Sequence, residues 1–256
     1  MKKSIYFKLV QSYFIVISLV VLLTSSAAYV TVKRNVNDEL SKTSLNMITS
    51  AVDSIDNLLI RKIEYSIHGM LTNSEYFQNL YNKDIYGNST ELLKFCKELD
   101  NIVSVNDCIS SIYVYYPKTG LVVNNRQFTT YSTALELHHM DLEWLQPFIK
   151  NDDFTNLDFS NKYWLETRMQ TDREKGTYFL KKENVISYIR LYPSFANTKN
   201  ALIGIVAVNI AESKIQNILR SLISSDMESL FIINNKGIIV SHTNYEFINK
   251  AIYDVH

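Results

Sequence analysis

The chain has 256 residues, 46% of them hydrophobic and 20% charged, with 26 Lys and Arg balanced by 26 Asp and Glu. That is enough material for one large domain or two small ones around a substantial core. The even charge argues against a nucleic-acid-binding protein, because no surplus of Lys and Arg is available to displace phosphate counterions.

The 24 residues from Leu9 to Val32 contain no Asp, Glu, Lys or Arg. As a helix they would extend ~36 Å, enough to cross a hydrocarbon core ~30 Å thick. The bilayer is therefore the first expected partner. Lys2, Lys3 and Lys8 outnumber Lys33 and Arg34, which predicts a cytoplasmic N-terminus (1–8) and an extracytoplasmic region (33–256) in the cell membrane. The rival reading is a cleavable signal peptide ending in Ser25-Ser26-Ala27-Ala28. The apolar run exceeds the usual core of about 7–15 residues, which favours an uncleaved anchor. Both readings export everything that follows.

Ile48, Val52, Ile55, Leu59, Ile63, Ile67 and Met70 recur at steps of three and four. That spacing predicts one long helix running on from Lys33 with an apolar stripe. The stripe can lie on a sheet or join a second copy, so a homodimer through this helix is a candidate assembly. Thr72-Asn73-Ser74 breaks the pattern. A second helix is expected over Glu75 to Asn82, and a third after Asn88, capped by Ser89 or Thr90. Asn88-Ser89-Thr90 matches a glycosylation acceptor and reads as this cap.

Ile109 to Tyr116 (ISSIYVYY) is rich in β-branched and aromatic residues; turn Pro117-Lys118-Thr119-Gly120 and Leu121-Val122-Val123 complete a hairpin. A short helix follows near Asp141 to Lys150. Strands are expected at Trp164–Met169, Val185–Tyr192 and Leu202–Ile210, then a helix over Glu212–Leu222. A second hairpin, Leu230–Ile233 and Ile238–Val240, turns at Asn234-Asn235-Lys236-Gly237. It repeats the first, with Gly120 and Gly237 in equivalent places. Because this second unit has one hairpin and no complete core, the fragment 33–256 alone is expected to be marginally stable.

Alternation along the strands assigns side chains to faces. Ile112 and Val114 oppose Ser111, Tyr113 and Tyr115. Val185, Ile189 and Leu191 oppose Tyr188, Arg190 and Tyr192, and Leu165 and Met169 oppose Trp164, Glu166 and Arg168. One face is then apolar and takes the long helix. The other gathers Tyr113, Tyr115, Trp164, Arg168, Tyr188 and Arg190 into a candidate small-molecule site, with Trp144 closing over it. The alternative is a solvated face in which Glu166 pairs with Arg168 or Arg190 and Trp144 simply packs.

Cys96 and Cys108 are either two half-buried thiols or, after export, a disulfide. His138-His139 lacks a third ligand, so solvated loop histidines are expected and no metal. No phosphate-binding glycine loop, HExxH or GxSxG occurs. Nothing points to a cofactor, a catalytic residue or an enzyme.

These features together resemble the double Cache family, the tandem PAS-like extracytoplasmic sensor domains of bacterial receptors. The likeness covers nearly the whole chain. It rests on the basic N-terminus with its apolar helix, the long helix, SSIYVYYPKTGLVV, VISYIRLYP with GIVAVNI and the following helix, and ESLFIINNKGIIVSH. It implies an α+β fold: a transmembrane helix (9–32), a long helix plus antiparallel membrane-distal unit (33–222), and an incomplete membrane-proximal unit (223–256). It also implies an unidentified small-molecule ligand. A second membrane helix and an output region, a histidine kinase or an AraC-type regulator, would lie outside these residues, which makes the chain a fragment or truncated receptor. Many amino-acid-binding members carry an arginine three residues before a tryptophan; here Asp141 precedes Trp144, so that motif is not transferred. The contrasting reading is a freestanding anchored or secreted binding protein.

Overall fold

The structure is a computed structural model that describes residues 2–82, 88–150, 162–173, 180–193, 196, 198–223 and 228–254. It divides into two compact units, Met1–Ser50 and Ala51–His256. Helix α1 (Lys2–Ile55) carries the apolar stretch. Among the described residues one helix is long and apolar enough to cross a membrane. Its most apolar 18-residue window has a mean hydropathy of 2.2 and is entirely unburied.

In the second unit α1 ends in a wide turn, Asp56–Ile60, closed by the Arg61 amide on the Asp56 carbonyl, and α2 (Arg61–Asn73) follows. The sequence explains this turn. Ala51, Ile55, Leu59, Ile63 and Ile67 are spaced by four, and in an α-helix each such step drifts ~40° around the axis. A turn closed one residue later absorbs the drift and keeps the stripe facing one way. Ala51, Leu59, Ile63, Ile67, Met70 and Leu71 are buried. The stripe is shorter than its periodicity suggested, because Ile48 and Val52 remain 52% and 60% exposed.

Ser74 ends α2 and caps α3 (Glu75–Asn79), its hydroxyl accepting from the Phe77 amide. Helix α4 (Ser89–Val105) starts one residue before expectation: Asn88 occupies the cap position, without a side-chain cap bond.

The sheet comprises β1 (Ile109–Tyr116), β2 (Leu121–Asn124), β3 (Phe128–Thr130), β4 (Lys162–Arg173), β5 (Leu180–Tyr192) and β6 (Gly204–Ala211). Its order is β3-β2-β1-β6-β5-β4, with every neighbouring pair antiparallel. Gly120, at φ 66°, makes the β1–β2 turn that a side chain would strain. Strand β6 is buried at every position, as a central strand covered on both faces must be. Its first residue has to be small: a Cβ on Gly204 would sit 3.2 Å from the Phe77 ring.

Cross-strand partners share a face. Ile112 pairs with Val208 and Val208 with Tyr188, so these three lie on the side covered by α2, α3 and α4. Tyr113 pairs with Ala207 and Ala207 with Ile189, on the opposite side. There α5 (Tyr131–Leu137), α6 (Gln146–Lys150) and the segment between them bring Ala134, Met140, Trp144, Leu145 and Phe148 over the sheet. Helices thus cover an antiparallel sheet, the α+β class expected.

Helix α7 (Glu212–Leu222) leads to a separate two-stranded sheet, β7 (Phe231–Ile233) and β8 (Ile239–His242). This hairpin is anchored to α7. Glu212, Gln216 and Arg220, spaced by four on one side of α7, bind Ser241, the His242 carbonyl and the Thr243 carbonyl at 2.7, 2.9 and 2.9 Å. Ile239, Ser241 and His242 are buried as a result.

Candidate functional site

The site begins with one extra residue in β4. Leu165 pairs with Ser187 and Arg168 with Val185, so three residues advance on β4 while two advance on β5. This is a β-bulge, and it reverses the alternation that the sequence pattern assumed. Leu165 and Arg168 now share a face, whereas strict alternation places them on opposite ones.

Arg168 therefore meets a polar row in the middle of the apolar sheet. Ser111, Asn209 and Ser187 are successive cross-strand partners in β1, β6 and β5, each fully buried. Ser187 donates to Asn209 Oδ1 at 2.6 Å, and Asn209 Nδ2 donates to Ser111 Oγ at 3.1 Å and Gln170 Oε1 at 3.2 Å. Arg168 Nη2 donates to Ser187 Oγ at 3.0 Å and lies 2.7 Å from Asp141 Oδ2. The Trp144 indole donates to the Asp141 carbonyl at 3.1 Å, which fixes the loop that delivers this carboxylate. Both ions are largely buried, with side chains 13% and 3% exposed. Arg168 Nε and Nη1 are buried without a hydrogen-bond partner.

Arg168 also borders a cleft of about 1100 Å³. Leu59 and Ile60 of the wide turn, Trp164, Ile186, Ile215 of α7 and Ile232 of the hairpin form its apolar walls. Glu143, Glu166 and Lys236 add charge.

Its structural neighbours are sensory domains. The ligand-binding domain of the Pseudomonas aeruginosa amino-acid chemoreceptor PctC, in complex with GABA, is 13% identical, covers 84% of this chain and 81% of its own, and has a TM-score of 0.48. That of the Pseudomonas fluorescens chemoreceptor CtaA, in complex with L-alanine, is 14% identical over 83% and 76%, with a TM-score of 0.44. A domain of a Vibrio parahaemolyticus sensory box/GGDEF family protein is 11% identical over 86% and 76%, with a TM-score of 0.48. At these identities and TM-scores the likeness assigns neither a ligand nor a residue role to this chain. No family model matches the chain, and no curated protein matches it.

The seven residues singled out from the sequence do not form one group. Tyr113, Tyr115 and Trp144 lie in the closed apolar cluster on the Arg168 side, at 0%, 5% and 0% exposure, with Tyr113 and Trp144 ring centroids 5.9 Å apart. Trp164, Tyr188 and Arg190 belong to the opposite face: Tyr188 pairs with Val208 and Arg190 with Val206, and the Trp164 and Tyr188 rings lie 4.9 Å apart. Burial, and then the Glu64 carboxylate, push the Tyr188 phenol up to about 12, and its hydroxyl donates to Glu64. Of the seven, only Trp164 and Arg168 border the cleft. Glu166 does not pair with Arg168; Asn234 Nδ2 donates to it at 2.8 Å and Lys236 Nζ at 3.2 Å.

Sequence reasoning missed Asp141, Gln170, Ser187 and Asn209. The available signal was Asn209, the one polar side chain in the apolar strand GIVAVNIA, which burial obliges to find hydrogen-bond partners. His138 ends α5 in the left-handed conformation, while His139 is buried rather than solvated. Cys96 and Cys108 are buried free thiols. Among the described residues no group of three or more His, Cys, Asp or Glu could hold a metal ion.

Proposed function

We propose that this chain is the extracytoplasmic small-molecule-sensing region of a bacterial membrane receptor, with its ligand in the cleft bordered by Trp164 and Arg168. Residues 1–8 are cytoplasmic, 9–32 cross the bilayer, 33–222 form the ligand-binding unit and 223–256 begin a membrane-proximal one. The output, a histidine kinase or an AraC-type regulator, lies outside these residues.

The observation that carries this reading is Arg168. Its Nε and Nη1 are buried without a hydrogen-bond partner, Nη1 standing 3.9 Å from the exposed Glu143 carboxylate, beside a cleft with apolar walls. A buried donor left unsatisfied costs about 1–3 kcal/mol, so an acceptor arriving there gains more than it would on a solvated arginine. A large apolar cleft with a few converging polar groups is the usual form of a small-molecule site.

Ligand binding is tested by a thermal-shift screen of small polar metabolites against the whole chain in detergent micelles. A ligand should raise Tm in the native protein and in Tyr188→Ala, and not in Arg168→Ala. A compound that stabilises Arg168→Ala equally removes the cleft assignment. Topology is tested with Lys150→Cys in a chain whose Cys96 and Cys108 are replaced by Ala. A membrane-impermeant maleimide should label it in intact cells, and labelling only after lysis overturns the export reading.

A further inference from the structure

The bulge in β4 does more than turn Arg168 inward. Its two unpaired residues both grip the second hairpin: Glu166 accepts from Asn234 and Lys236 in the β7–β8 turn at 2.8 and 3.2 Å, and the Thr167 hydroxyl donates to the Val240 carbonyl. The residues flanking them hold the sheet. Leu165 packs in the apolar cluster around Tyr113 and Trp144, and Arg168 joins Asp141, Ser187 and Asn209. Four consecutive residues thus alternate between two bodies as sheet, hairpin, hairpin, sheet.

A regular strand has no such arrangement, because residues 166 and 168 would point the same way. The extra residue exists only while Arg168 is held on the inner side. If Arg168 loses its inner partners, β4 can slide into unbulged register, which turns Arg168 out beside Glu166 and withdraws Thr167 from the hairpin. We propose that this bulge is a mechanical coupler, in which the state of the polar cluster around Arg168 sets how firmly the β7–β8 hairpin is held. Its ligand end rests on the cleft reading above, whereas the coupler itself operates in the unliganded chain. An acceptor that competes with Asp141 and Ser187 for the guanidinium then loosens the hairpin.

The test needs no ligand, so its failure leaves the cleft reading standing and the failure of that reading leaves the coupler standing. Hydrogen exchange is followed on the whole chain in micelles at the amides of Ile239, Thr243 and Ile252, which donate to the carbonyls of Lys250, Leu230 and Gly237. Asp141→Asn, and independently the milder Ser187→Ala, should speed exchange at these amides at least about fivefold more than at β1 and β6, the lower end of the range for coupled sites. Leu99→Ala, buried in α4 and outside the polar cluster around Arg168, should speed all of them evenly. Arg168→Lys combined with Glu166→Gln should give hairpin exchange slower than the product of the two single effects. Even acceleration in Asp141→Asn and Ser187→Ala, or strictly multiplicative effects in the double variant, overturns the proposal.

Discussion

The Ser241 hydroxyl donates to Glu212 Oε1 across 2.7 Å, joining β8 to the first residue of α7 where both side chains are buried. Burial raises the Glu212 carboxyl above its ordinary 4.5, and the Ser241 hydrogen bond and the Arg220 charge only partly restore it. A raised carboxyl means that the folded state favours the protonated form. Its contribution is fully present below the ordinary value and is lost as pH rises through the folded one. Glu212→Gln keeps an acceptor and cannot ionise. Relative to the native chain it should therefore be more favourable at pH 7 than at pH 4 in urea melts. A difference that does not change with pH removes this account. Ser241→Ala should cost about 2 kcal/mol at pH 7, the scale of a hydrogen bond to a charged group.

The long helix makes a graded prediction. Leu59→Ala and Ile63→Ala, at 2% and 1% exposure, should each cost about 2–5 kcal/mol in denaturant melts. Val52→Ala, 60% exposed, should stay within about 0.5 kcal/mol. Equal losses at Val52 and Ile63 contradict the stripe as described.

Two glycines should respond with opposite sign. Gly69 lies inside α2 with nothing near the place a Cβ would occupy, so Gly69→Ala should add about 0.5–1 kcal/mol. Gly120 sits at φ 66°, and Gly120→Ala should cost about 1–2 kcal/mol. Thermal melts of the two variants decide the matter.

Thiol chemistry reports on the helix face. Burial pushes Cys96 up to about 12, and raises Cys108 with help from the neighbouring Asp107. Only the thiolate reacts with disulfide reagents. Both cysteines should resist a thiol reagent at pH 8 in the native chain and react fully in denaturant. Rapid native labelling at Cys96 contradicts its burial.

The elements were legible because their patterns are local. ISSIYVYY, the glycine turns at 120 and 237, and the Glu212–Leu222 helix appear where spacing and turn chemistry put them. The face of each side chain was less legible, because a face depends on register. One bulged residue between Leu165 and Arg168 changes which residues Arg168 can meet, and no local feature of WLETRM announces it. Tyr188 was placed beside Tyr113 by composition, yet its pairing with Val208 puts it under the helices. The loop carrying Asp141 to Arg168 closes a contact across 27 residues of chain, beyond the reach of periodicity.

Two of the three ties from α7 to the hairpin end on main-chain oxygen: Gln216 on the His242 carbonyl and Arg220 on the Thr243 carbonyl. Such a grip is blind to which amino acids stand at 242 and 243. The two bonds constrain only the path of the main chain at these positions, whereas a change at Gln216 or Arg220 removes a tie whatever the hairpin carries.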